Sequence, residues 1–121
     1  MSLETCYAQL GGDLEDVRSR LVTDERIIKF IGIFEQSPLF DNLQKALDEG
    51  NMEEAFRAAH TMKGNSRDMG FMPLYEASCE LSEVLRLDDA GVPAGPLEQV
   101  PELFGRLETA YRTTMDAFAQ I

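Results

Sequence analysis

Apolar residues recur every three or four positions along almost the whole chain, and glycine and proline cut that pattern into helix-sized pieces. Residues 3 to 10 carry Leu3, Tyr7 and Leu10 on one face and end at Gly11-Gly12. Residues 13 to 21 place Leu14, Val17 and Leu21 together. Thr23 and the acidic pair Asp24-Glu25 then open a stronger helix. Its Ile27, Ile28, Phe30, Ile31 and Phe34 make it the most apolar segment, so much of it is expected to be buried. Ser37-Pro38 reads as an N-cap followed by a proline in the first helical position, and both a new helix and a kinked continuation to Glu49 stay open. Gly50 suits a helix C-terminus, and Asn51 with Glu54 resembles a capping box for a helix running to about Met69. Pro73 opens the next helix, with Leu74, Ala77, Leu81, Val84 and Leu85 as its core stripe through about Leu87. Ala90 to Gly95 is the one obvious loop. From Pro96 onward Leu97, Val100, Phe104, Leu107, Tyr111, Thr114 and Phe118 mark a long final helix, with Pro101 as a candidate interruption. No segment reads as a strand.

Four long amphipathic helices with short connections pack most economically as an antiparallel up-down four-helix bundle. The expected fold is therefore all-α, with a bundle over about 24–120 and short flanking helices over about 3–21. Composition narrows this further. A chain of 121 residues, 44% of them hydrophobic, supports one compact domain over 1–121. The pattern contains no apolar run near membrane-spanning length and no leader-like start, which points to a cytoplasmic protein, and the initial methionine favours a stand-alone chain. Cys6 and Cys79 match no metal or redox spacing and read as reduced thiols. The formal net charge of −11 argues against nucleic-acid and membrane partners and otherwise reads as solubility.

The chain has one histidine, His60. On a helical wheel Ala55, Ala58, Met62, Ser66 and Met69 lie on the opposite side and form the buried stripe, while Glu53, Phe56, Arg57, Lys63, Gly64 and Arg67 surround the imidazole. His60 is thus predicted to be exposed. Glycine at a helix-interior position costs roughly 1 kcal/mol relative to alanine, so Gly64 asks for a compensating reason. It leaves room beside the imidazole for a bulky group, and Lys63 and Arg67 bring positive charge where an anion would sit. Taken singly, an exposed histidine is ordinary polar filler and a helical glycine ordinary packing. Taken together, His-x-x-Lys-Gly followed by Asn65-Ser66 and Gly70 resembles the signature of histidine-containing phosphotransfer (HPt) domains. Their usual form is His-x-Leu-Lys-Gly-Ser-Ser with a second glycine six residues beyond the first. The chain matches at His60, Lys63, Gly64, Ser66 and Gly70 and departs at Met62 and Asn65.

Other chemistries lack their parts. There is no phosphate-binding Gly-x-x-x-x-Gly-Lys-Ser/Thr loop, no nucleotide-binding region, and no second histidine for a zinc site or a nucleophile–base pair. Glu53-Glu54 and Asp88-Asp89 read as solvated faces or caps. What remains is one nucleophilic imidazole and nothing to activate a phosphodonor. The resemblance implies the rest: a phosphocarrier rather than a kinase, taking a phosphoryl group on His60 from the aspartate of a receiver domain that carries its own Mg²⁺, with no cofactor or metal bound by this chain. It implies response-regulator receivers or a hybrid histidine kinase as partners, and a monomer is expected because His60 must face a partner. Lys63 would neutralise phosphoryl oxygens, Gly64 would clear the approach, and Arg67 and Ser82 would lie in the phosphate neighbourhood. For docking, Phe56 and Arg57 lie one turn before His60, and Leu39 and Phe40 extend an apolar patch, with one of the two expected in the core. The competing readings are a helical adaptor that binds receivers without transfer, and a receiver phosphatase positioning water through Gln36, Gln44 or Glu53.

Overall fold

The computed structural model describes residues 2–121. Local signals in the sequence account for most of its boundaries. The Oγ of Ser2 accepts from the Thr5 N–H and starts α1 (Leu3–Leu10), which ends at Gly11 in the left-handed region. Asp13 and Thr23 cap α2 (Leu14–Leu21) and α3 (Asp24–Gln36) in the same way. Such caps satisfy one of the orphan donors of a first turn and contribute about 1 kcal/mol each. Between α2 and α3, Val22 adopts φ 71° and is 72% exposed, an unusual backbone for a β-branched residue.

The open question at Ser37-Pro38 resolves as a break. The residue before a proline is pushed to extended geometry, and Ser37 has ψ 136°, which ends α3. Its Oγ then accepts from the Leu39 N–H at 3.2 Å, starting α4 (Leu39–Asp48) one residue later than the sequence suggests. Gly50, with φ 71°, turns the chain, and Asn51 caps α5 (Met52–Asp68) through the Glu54 N–H at 3.2 Å. The reciprocal half of the capping box is not made, because Glu54 pairs with Arg57 instead. Pro73 sits in the first turn of α6 (Met72–Leu85), which stops two residues short of Leu87. The following loop is held by an isolated bridge between Leu87 and Pro93 and by Asp88 Oδ1, which accepts from the N–H groups of Ala90 and Val92. A 3₁₀ turn at Leu97–Gln99 precedes α7 (Val100–Ala117), so Pro101 begins that helix rather than interrupting it.

All regular structure among the described residues is helical. Helix α5 packs between α4 and α6, α6 packs on α7, α1 lies against α7, and α2 lies against α3. Aromatic rings knit the far ends of the sequence together. Phe34 meets Phe71 edge-on at 5.2 Å between centroids, and Phe40 stacks on Tyr111 at 4.3 Å. Pairs of this kind contribute about 0.5–1.5 kcal/mol beyond the area they bury.

One expectation about apolar residues is overturned. Helix α3 is not largely buried: Ile27, Ile31 and Phe34 enter the core, but Ile28, Phe30 and Ile33 are 44%, 41% and 56% exposed. With only α2 packed along it to any extent, α3 has neighbours for one stripe and not for its whole circumference. Of Leu39 and Phe40, it is Phe40 that enters the core, as expected of one of the two, and it is therefore no surface anchor. It is 2% exposed between Tyr111 and Phe104, with the Arg112 guanidinium 5.3 Å from its ring centre.

Candidate functional site

His60 lies near the middle of α5 and is exposed, as the wheel predicts. The buried stripe opposite it comprises Ala55, Ala58, Ala59, Met62 and Ser66. Small alanines there let α4 and α6 pack closely against α5 beneath the imidazole. Ser66 is completely buried, and its Oγ donates to the Met62 carbonyl at 2.6 Å, which removes it from any role on the surface.

The imidazole has a different neighbour on each side along the helix axis. One turn before it, the Phe56 ring lies 5.7 Å away between centroids, tilted by 34°. Phe56 is half-buried against the core, so it is a fixed wall beside the imidazole more than a free docking aromatic. One turn after it, a Cβ added to Gly64 would meet no atom within 4 Å. Helical side chains lean toward the N-terminus, so any side chain at position 64 would cover the space next to the imidazole. The glycine keeps that space empty.

The cations around His60 are less free than their wheel positions suggest. Arg57 pairs with Glu53 at 3.3 Å and with Glu54, and Arg67 lies 3.6 Å from Asp68. Lys63 makes no salt bridge among the described residues, and it is half-buried. It faces α6, where the Glu83 carboxyl is held below the usual carboxylate range chiefly by hydrogen bonding to Arg86, with Lys63 adding to the effect. Lys63 is therefore the cation of the three with an uncommitted ammonium. Ser82, also on α6, is 3% exposed and belongs to the packed interface rather than to an accessible phosphate neighbourhood. Leu39 is half-buried and packs on the core, leaving little of the apolar patch expected from Leu39 and Phe40. Gln36 and Glu53 are exposed and Gln44 half-buried, and Glu53 is committed to Arg57. Among the described residues no cluster of His, Cys, Asp and Glu is placed to hold a metal ion.

Two further features at the C-terminal end of α5 were not read from the sequence. A groove of about 330 Å³ runs between α3 and the last turns of α5, lined among others by Leu21, Phe30, Ile33, Asn65 and Met69. It is the exposed part of α3, read from the sequence as core, that supplies the apolar wall. The second is the contact of α1 and α2 with the end of α5: the Tyr7 hydroxyl, buried at 2% exposure, donates to the Met69 carbonyl at 2.7 Å. Burial drives the Tyr7 hydroxyl pKa well above its ordinary value. Nothing local in the sequence signals a partner this far along the chain.

No curated protein and no solved structure matches this chain. Residues 33–118 match the family model of the Hpt domain, a span that begins within α3 and includes α4 to α7. Hpt domains act in phosphotransfer within two-component signalling and interact with receiver domains and histidine kinases. The match covers well over half of the chain and has the exposed His60, the bare Gly64 and the unpaired Lys63 within it, so the chain belongs to the Hpt domain family.

Proposed function

We propose that the protein is a phosphorelay carrier that accepts a phosphoryl group on His60 from a receiver-domain aspartate and passes it to another receiver. The observation that carries this reading is the asymmetry around the imidazole, walled by Phe56 on one side and open over Gly64 on the other. A neutral ring nitrogen, Nε2, attacks the phosphorus of the aspartyl phosphate in line. The N–P bond forms as the P–O bond to the aspartate breaks, and the carboxylate leaves. The same step run backward delivers the group to the next receiver. Such a transition state spreads charge over the non-bridging oxygens and needs positioning more than covalent help. The Lys63 ammonium supplies an uncommitted positive charge on this face, while Arg57 and Arg67 must first leave their carboxylates. Chemistry at the donor belongs to the receiver and its Mg²⁺; this chain adds no kinase activity and no cofactor of its own.

For docking, the reading uses the α3 groove in place of Leu39 and Phe40. A receiver seated over His60 and Gly64 extends naturally onto Phe30 and Ile33, and Arg26 and Lys29 on α3, which make no salt bridge among the described residues, suit an acidic rim on the partner. The short links between α4, α5 and α6 support an up-down order for the bundle, within one domain of a monomeric, cytoplasmic protein. No helix of the described residues is long and apolar enough to cross a membrane.

The test is to incubate the protein with a phosphorylated receiver and Mg²⁺ and look for an acid-labile, alkali-stable adduct. The expected result is label on the wild type and none on His60→Gln with helicity retained. Unlabelled wild type that still binds receivers would favour an adaptor, and receiver dephosphorylation persisting in His60→Gln would favour a phosphatase.

A further inference from the structure

The carbonyl groups at and just past the end of the histidine helix are all engaged by the N-terminal hairpin. Arg20 Nη2 donates to the Arg67 and Asp68 carbonyls at 3.1 and 2.8 Å. Tyr7 Oη donates to the Met69 carbonyl, and the Asp13 N–H donates to the Gly70 carbonyl at 3.1 Å. The last carbonyls of an α-helix have no intrahelical partner, and a cation at that end also opposes the negative pole of the helix dipole. Asp16 binds the other terminal nitrogen of Arg20, so the guanidinium is fixed from both sides.

Two glycines permit this approach. A Cβ on Gly12 would stand 2.5 Å from the Gly70 carbonyl oxygen, and one on Gly70 would stand 2.4 Å from Val17 Cγ2. Gly70, the second glycine of the signature, is thus the seat on which the hairpin rests. Helices α1 and α2 lie outside the span matched by the family model. The end of the signature helix is held by chain that is no part of the family match.

We propose, resting on the phosphocarrier reading, that Arg20 is a positioning residue for phosphoryl transfer. By holding the carbonyls of Arg67 and Asp68, it keeps the last two turns of α5 from fraying. Those turns bear Lys63, Gly64 and Arg67. The Lys63 carbonyl accepts from the final turn, through the helical N–H four residues on and through Ser66 Oγ at 3.2 Å. Opening from the C-terminal end therefore reaches the phosphoryl neighbourhood within one turn, without passing through His60. Helix ends are where local opening begins.

Arg20→Gln and Tyr7→Phe test this, each compared with wild type at a temperature where circular dichroism shows all three folded. Transfer from a phosphorylated receiver is resolved by rapid mixing into the maximal single-turnover rate, written kcat, and the half-saturating receiver concentration, written KM, and amide exchange over residues 63–71 is followed by mass spectrometry. The expected result for Arg20→Gln is a kcat lowered roughly threefold or more, with KM little changed, since a small misplacement of a transfer site is expensive in rate. Exchange at residues 67–70 is expected to rise about tenfold. Tyr7→Phe, which loses only a hydroxyl, moves both readouts in the same direction and keeps the test open should Arg20→Gln fail to fold. Faster exchange with unchanged kcat would make the clamp purely structural and overturn the proposal, as would unchanged exchange. Wild type that takes no label removes the phosphocarrier reading and this proposal together, whereas a labelled wild type with unaffected variants removes this proposal alone.

Discussion

Helices α3 and α5 share a design and differ in what they show to solvent. Each buries one stripe, and each has an interior glycine, Gly32 or Gly64, whose missing side chain would meet nothing within 4 Å. The outward side of α5 presents one imidazole among charges. That of α3 presents Ile28, Phe30 and Ile33, apolar groups that a lone helix has no reason to leave in water. The contrast teaches that apolar content does not measure burial. Helix α5, far more polar, lies between two packed neighbours, while the most apolar helix lies at the margin. The exposed imidazole sits on the helix the fold holds best, and the exposed apolar surface on the one it holds least.

The sharpest way to break that contrast is to compare two phenylalanines. Phe40→Ala removes a ring stacked on Tyr111 and is expected to destabilise the fold by about 3–5 kcal/mol, whereas Phe30→Ala is expected to stay within about 0.5 kcal/mol, both by thermal or urea unfolding. Equal losses would mean that the α3 surface is part of the core after all. Next in size, Gly64→Leu fills the space beside the imidazole without touching the core, so transfer from a receiver should fall by roughly a hundredfold while the melting temperature holds or rises. A fully active Gly64→Leu would show that the partner does not approach from that side. Ile33→Asp puts a charge on the groove wall; KM for the receiver should rise about tenfold, equivalent to about 1.4 kcal/mol, with kcat unchanged. Smallest is the matched pair Gly32→Ala and Gly64→Ala. Each should raise stability by about 0.5–1 kcal/mol, since neither added methyl meets a neighbour, and only the second should also slow transfer.

How far the sequence carried depended on the range of the interaction. The caps at Thr23 and Asn51 are contacts over three residues, and the arrangement around His60 spans two helical turns, so both could be read from spacing, whereas the caps at Ser2 and Asp13, of the same span, went unread. The exposure of Phe30 and the burial of Phe40 depend on which helices come alongside, and their own segments look equally apolar. The freedom of Arg57 and Arg67 was overestimated because a wheel shows direction and not ion pairing. The clamp was the least legible feature. It joins Arg20 to backbone carbonyls 47 and 48 residues away, and a carbonyl acceptor has no residue identity to recognise. Gly11-Gly12 read only as a helix terminator, although Gly12 is also where two turns of backbone meet.

The single histidine, set 5.7 Å from an aromatic ring, gives the molecule a built-in spectroscopic probe. Its imidazole proton resonances need no variant for assignment, and the ring current of Phe56 displaces them by an amount set by that contact. Any movement of the imidazole toward the open side over Gly64, whether on phosphorylation or on meeting a partner, would therefore register as a chemical-shift change from one known pair of rings.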